Sequence, residues 1–308
     1  MDLPLPVDLG LLAFVAAVLN GAVGYGFSSV VTPVALFWVS NQLLNPSLVA
    51  VELGVNVVLL VRERRLIRAT FPRARTVIVG LLPGVLLGTI GLVTISAVGV
   101  RLFVYLALLP LVLIQLIGWR RALRSETTTG PPVGAAVGFL YALTTISGPP
   151  LALYFRNQGL AKQEFRCAMA QVRVAEASMT CGAYLFAGLF TGPSLALVPV
   201  LLIPVVVGVP LGTLLLTRIS RDFFSRVVMA VDAIIVTYGL YKVTQQVGWL
   251  SSTEALVVLV AILALTGFVA VRSVRRLPTL WARGEAKDAA PWRSDERLGA
   301  PPPEVDPP

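Results

Sequence analysis

The chain contains no histidine, and that one absence removes a wide range of chemistry. Histidine-ligated zinc, Ser-His-Asp hydrolysis and imidazole proton relays all need a side chain this sequence lacks. Cysteine is nearly absent too. Cys167 and Cys181 share one apolar stretch, so they supply neither a four-ligand metal site nor a clamp between distant parts of the fold. Charge is also scarce: 13% of the residues are Asp, Glu, Lys or Arg, where a soluble domain carries about 25%.

What is present is apolar surface. Of the 308 residues 56% are hydrophobic, and mean hydropathy is +0.82. Apolar runs of roughly 20 residues, the length that crosses a ~30 Å hydrocarbon layer, recur along the chain. The pattern describes an all-α polytopic membrane protein. The net charge of +9 would suggest nucleic acid in a soluble protein; here it sorts to cytoplasmic loops, and no nucleic-acid partner is expected. Asp2 and Asp8 precede the first apolar run, where a cleaved signal peptide would carry Lys or Arg.

Apolar length marks segments near 9–39, 47–61, 76–98, 102–118, 132–155, 167–190, 194–216, 227–247 and 254–271. Residues 277–308 are polar and proline-rich, cannot bury enough apolar surface to order, and are expected to be disordered. Two segments do not read as plain spans. Residues 9–39 would form a helix of ~46 Å, too long for one crossing, and are interrupted by Gly21, Gly24, Tyr25, Gly26, Ser28 and Ser29. Residues 132–155 are interrupted by Thr144, Thr145, Ser147, Gly148, Pro149 and Pro150.

The interruptions belong to a repeat. Pro33-Val34-Ala35-Leu36-Phe37-Trp38 aligns with Pro150-Leu151-Ala152-Leu153-Tyr154-Phe155. Gly84-Val85-Leu86-Leu87-Gly88-Thr89 aligns with Gly208-Val209-Pro210-Leu211-Gly212-Thr213, each followed by an Ile-Ser pair, Ile95-Ser96 and Ile219-Ser220. Two blocks in the same order indicate a duplicated unit. The organisation read from this is a first membrane repeat at 1–118, a cytoplasmic connection at 119–131, a second repeat at 132–247, an extra transmembrane helix within 248–276 and the tail at 277–308. Each repeat has a broken or re-entrant segment followed by three spans.

Charge sets the orientation. Residues 62–75 carry six arginines and are taken as cytoplasmic. If 132–155 crosses once, basic residues divide 10 against 10 between the two faces. If it dips in and returns, they divide 18 against 2, with only Arg101 and Lys242 outside. The second arrangement obeys the positive-inside rule, and the repeat then makes 9–39 enter from the other face. Two halves of opposite orientation form the inverted-repeat plan of many secondary transporters. The tail falls on the cytoplasmic face of a bacterial inner membrane.

A helix that begins at the membrane midplane points unpaired N–H groups and its positive dipole end into the protein. Ser147, Gly148 and Pro149 have the chemistry of such a start, as do Ser28, Ser29 and Thr32 ahead of Pro33. Two such ends make a place for a small anionic substrate, with Gly24, Gly26, Thr144 and Thr145 beside it. The bland alternative is a pair of kinked spans with satisfied caps. Intramembrane polar residues add candidates: Glu52 and Asn56 on one face, Arg173 and Glu176, and Asp232. Arg173 is either a fixed positive charge near substrate or the partner of Glu176 one turn along. Glu52, Glu176 and Asp232 either carry a coupling proton or accept bonds from interior donors. Arg166, at a helix end, reads as snorkelling to headgroups. Gly80, Gly84, Gly88, Gly208 and Gly212 read as close helix packing.

With Gly21, Gly24-Tyr25-Gly26-Phe27, Pro33, Ser147-Gly148-Pro149-Pro150-Leu151 and Phe165-Arg166, the chain resembles the sulfite exporter TauE/SafE family of bacterial permeases over about 9–247. The resemblance implies export of sulfite or organosulfonate-type anions. Related sequences usually carry glycines near Ala142 and Thr145; here threonines add hydroxyls and bulk. The helix at 254–271 lies outside the family pattern. A non-transporting structural subunit and a channel-like pore are the alternatives, and no nucleophile–base pair points to an enzyme. No cofactor is expected; the lipid bilayer is, while a coupling ion and a homodimer stay open.

Overall fold

The computed structural model describes residues 5–23, 27–117, 126–156, 162–215 and 221–248, with Gln158, Leu160, Val260 and Ala264. Among these residues there are ten α-helices and no strand. They are α1 (Leu5–Val23), α2 (Phe27–Ala35), α3 (Asn41–Arg62), α4 (Ile67–Thr94), α5 (Ala97–Ile117), α6 (Glu126–Thr144), α7 (Gly148–Arg156), α8 (Lys162–Phe186), α9 (Gly192–Leu215) and α10 (Arg221–Val247). A single 3₁₀ turn, Arg64–Leu66, joins α3 to α4. The expected helix at 254–271 and the tail lie outside the described residues.

The order of elements follows the hydropathy reading: a broken segment and three long helices, twice. Both long interrupted segments are split in two, 9–39 into α1 and α2, 132–155 into α6 and α7. The first break lies earlier than the sequence suggested. Pro33 was expected at the start of the second piece, but α2 begins at Phe27 and holds Pro33 inside it. Likewise α6 starts at Glu126 and takes in Pro131 and Pro132, so part of the supposed 119–131 connection is helical. Prolines also sit inside α3, α4, α5 and α9. Membrane helices tolerate them because neighbouring groups satisfy the freed carbonyls.

Among the described residues four helical stretches are long and apolar enough to cross a membrane: Asn41–Arg62, Arg64–Thr94, Ala97–Ile114 and Gly192–Gly212. The distribution of side chains fits that solvent. Val58, Val79, Leu87, Ile90, Ile203, Val206 and Leu214 project outward from α3, α4 and α9, while Glu52, Asn56, Arg173, Glu176 and the hydroxyls of both breaks are buried. Apolar groups outside and ionisable groups inside are what a hydrocarbon surround selects.

Backbone-to-backbone contact holds the bundle. On α4, a Cβ placed on Gly80 or Gly84 would collide with the carbonyl of Pro131 or Ala135 on α6, and one on Gly88 would meet Ala142 Cβ at 2.9 Å. Gly134 and Gly138 of α6 are just as close to Val77 and Leu81 of α4. A second crossing pairs α1 with α9, where Gly21 lies against Val209, and Gly208 against Ala17 and Phe14. The four-residue glycine spacing therefore serves packing, since apolar lipid gives little drive for helix association and close approach must supply it. Around these seams α3 lies against α8 and α9, α4 against α8, and α5 against α10.

The repeated Ile-Ser pair marks a helix start. Ser96 Oγ accepts the Gly99 N–H at 3.2 Å and caps α5. Its counterpart Ile219-Ser220 lies outside the described residues, and α10 begins at the next one, Arg221.

A paired comparison tests the seam. Gly54 on α3 has nothing within 4 Å of an added Cβ, whereas Gly84 would strike backbone. Gly54→Ala is expected to be neutral or to stabilise by up to ~1 kcal/mol. Gly84→Ala is expected to lose at least the ~1–3 kcal/mol of an overpacked core. Thermal unfolding of the two variants in detergent, followed by size exclusion, checks the difference.

Candidate functional site

The two breaks create a problem that the rest of the chain solves. Where a helix ends inside a bilayer, its last carbonyls have neither intrahelical partners nor water. At the end of α6 those carbonyls are met by side chains from two other helices. Asn45 Nδ2 of α3 donates to Leu143 O at 2.9 Å, and Tyr184 OH of α8 donates to Ala142 O. Thr144 Oγ1 donates back to Leu140 O at 2.6 Å and receives the Ile146 N–H at 3.1 Å. Thr145 then turns the chain in the left-handed region, φ 62°. That conformation is unfavourable for a β-branched residue, and the surrounding packing holds it there. Its hydroxyl lies 3.0 Å from that of Thr32 on α2, so the α6–α7 break touches the second piece of the first broken segment.

The starts of the second pieces are each met by a carboxylate. Ser28, in the first turn of α2, donates to Glu52 Oε1 on α3 at 2.8 Å. Ser147, just ahead of α7, donates to Glu176 Oε2 on α8 at 2.6 Å. Negative charge at a helix N-terminus is favourable, and here the protein supplies it. Glu52 has two more partners: Arg173 Nη2 at 2.8 Å, and the Tyr141 hydroxyl, which donates to Oε2 at 2.9 Å. Side chains of Arg173 and Glu52 are 5% and 2% exposed, so the ion pair is shielded from solvent. Breaking such a pair by removing one partner is costly because the other charge is left buried and alone.

Arg173 therefore reaches across to α3, where the sequence also allowed a pair with Glu176 on its own helix. Among the described residues Glu52, Glu176 and Arg173 share this part of the interior. Three atoms there have no hydrogen-bond partner among the described residues: Arg173 Nε, Glu176 Oε1 and Thr180 Oγ1.

The residues singled out from sequence divide clearly. Ser28, Ser29, Glu52, Asn56, Thr144, Thr145, Ser147, Arg173 and Glu176 are all buried, on α2, α3, α8 and the α6–α7 break. Gly148 opens α7. Asn56 Nδ2 donates to Glu52 O at 2.8 Å, one turn back on α3. Gly24 and Gly26 lie outside the described residues, as does the side chain of Asp232 on α10. Sequence reasoning passed over Tyr141, Asn45 and Tyr184. Asn45 was accessible to it: Asn45, Glu52 and Asn56, at i, i+7 and i+11, form one polar stripe on an otherwise apolar helix. Tyr141 and Tyr184 gave no comparable signal, because a tyrosine in a span is as often packed for its ring. No cluster of three or more Cys, Asp or Glu suited to a metal ion occurs among the described residues.

The pair can be tested directly. Arg173→Gln and Glu52→Gln are each expected to destabilise by about 3–5 kcal/mol. The double variant should be more stable than the additive sum, because neither charge is left without its partner. Thermal melts of the four proteins close the cycle.

Comparison with known proteins adds one positive finding. No curated protein and no solved structure matches the chain. The family model described as sulfite exporter TauE/SafE matches residues 9–239, three quarters of the length, from α1 well into α10. Helices α2 to α9, the buried charges and both breaks fall inside that match, and the chain belongs to the sulfite exporter TauE/SafE family, a family of membrane transporters.

Proposed function

We propose that the protein is a secondary transporter that exports small sulfur oxyanions, sulfite or organosulfonates, across the bacterial inner membrane by alternating access. The observation that carries this reading is the buried Arg173, held by Glu52 between two helix breaks. An oxyanion that enters the interior meets the guanidinium, the hydroxyls of Ser28, Ser147, Thr144 and Thr145, and the amide of Asn56. All of these suit a small acceptor-rich solute.

The inverted-repeat plan is part of the proposal and has structural support. Packing is reciprocal: α1 lies on α9 and α6 on α4, so the first helix of each half contacts the fourth of the other. The polar contacts are reciprocal too. Ser28 to Glu52 in the first half matches Ser147 to Glu176 in the second. Glu52 and Glu176 have the same sequence offset as the aligned Gly84 and Gly208. Two such halves can rock against each other about a fixed centre.

Charge balance suggests how the cycle is coupled. Glu52 already balances Arg173, so an arriving anion brings a negative charge with no cation of its own. The anion takes Arg173 from Glu52, and the released carboxylate takes up a proton, because an unpaired buried charge is far costlier than a neutral acid. Glu52 and Glu176 are the coupling groups in this scheme. Ser28, Tyr141 and Asn56 hold Glu52 in position.

Proteoliposomes loaded with labelled sulfite test the reading. Saturable flux that shows counterflow and accelerates under a proton gradient is expected. Arg173→Gln should reduce it at least a hundredfold, and Arg173→Lys should retain part of it. Conductance without saturation would indicate a pore, and a silent protein would indicate a structural subunit.

A further inference from the structure

A narrow cleft, with room for about one water molecule, lies between the C-terminal half of α3 and the N-terminal half of α8. One wall is Asn56 and Leu59 of α3 with Glu63 at its C-terminal cap; the α8 wall includes Arg166, Met169 and Arg173. These positions follow i, i+3 and i+7 on both walls, so each wall is one helical stripe. Arg166 and Arg173 are seven residues apart, a rise of ~10 Å along α8. Arg173 is at the closed end, buried, its Nε without a hydrogen-bond partner among the described residues, while Arg166 is partly exposed at the open end. Glu63 adjoins exposed Arg62, Arg64, Arg65 and Arg68, so the mouth lies in a basic surround.

We propose that this cleft is an anion vestibule, in which Arg166 is an outer binding station for a small oxyanion on its way to or from Arg173. The proposal rests on the transport reading above for what passes through it, but the vestibule itself is a property of the cleft. Arg166 and the exposed Arg62, Arg64, Arg65 and Arg68 around the mouth outweigh Glu63, and a net positive cleft with low-dielectric walls concentrates anions and raises their arrival rate. Arg166 thus has a more specific task than snorkelling. Its guanidinium offers planar, two-pronged donation to an oxyanion. Leu59 and Met169 leave the passage walls apolar between the two stations, so the anion is passed on and not trapped midway. Glu63, the acidic residue on the α3 wall, discourages binding so tight that release would fail.

Thiol labelling tests the vestibule independently of any transported substrate. In purified full-length protein with Cys167→Ser and Cys181→Ser, Leu59→Cys is treated with an anionic sulfonatoethyl or a cationic trimethylammonioethyl methanethiosulfonate. The anionic-to-cationic rate ratio is compared with that at Phe186→Cys, a position 97% exposed at the other end of α8. A ratio roughly tenfold higher at Leu59→Cys is expected. Arg166→Gln should remove most of the excess, and Arg166→Lys should restore it. Met169→Cys, on the opposite wall, repeats the measurement if Leu59→Cys does not elute as a monodisperse species. Equal ratios at the cleft and at Phe186→Cys, or an excess untouched by Arg166→Gln, would overturn the proposal. Sulfite flux by the unsubstituted protein is measured separately. Charge selectivity without flux would sink the transport reading and leave the vestibule standing; flux without selectivity would do the reverse.

Discussion

Everything in the interior depends on satisfying polar groups that the two helix breaks place in a medium without water. An unbroken helix bonds its own backbone and asks nothing of its neighbours. Each interruption ends that self-sufficiency, and the partners must come from other segments. Asn45 and Tyr184 meet the carbonyls at the end of α6, Glu52 and Glu176 face the starts of α2 and α7, and Arg173 balances Glu52. The buried charges follow from the breaks. They need one another, and the glycine seams that bring α4 to α6 and α1 to α9 hold the broken pieces in reach of their partners.

The arrangement carries a functional consequence. A helix start aimed into the protein is a natural anion site, and in this chain a glutamate accepts a hydrogen bond from the serine beside each one. The resting protein is therefore a filled version of the site that the transport reading requires. In the proposed cycle a substrate anion competes with an internal carboxylate for the Arg173 guanidinium. Under that proposal the competition links anion occupancy to Glu52, and through it to the coupling ion.

Much of this was legible in the sequence, for physical reasons that differ by level. Element order followed from apolar length, because the bilayer fixes how long a span must be. The breaks were legible because Gly, Pro, Ser and Thr cluster at corresponding places in two aligned blocks. Their positions were less so: α2 starts six residues before Pro33, since proline is tolerated inside membrane helices and so is a weak marker of where one begins. The buried ionisable residues could be nominated one at a time, Glu52, Arg173 and Glu176 among them. Their pairing could not. Arg173 and Glu176 are a turn apart on one helix, and local spacing favours that pair; the choice of Glu52 instead is made by the packing of α3 on α8, which no local rule contains. Tyr141 went unnoticed for the same reason.

The competition for Arg173 can be observed by infrared difference spectroscopy of the purified protein with and without sulfite. The account expects anion addition to produce a protonated-carboxyl band that disappears in Glu52→Gln and persists in Asp232→Asn. Sulfite binding with no new carboxyl band, or with a band unchanged by Glu52→Gln, would contradict it.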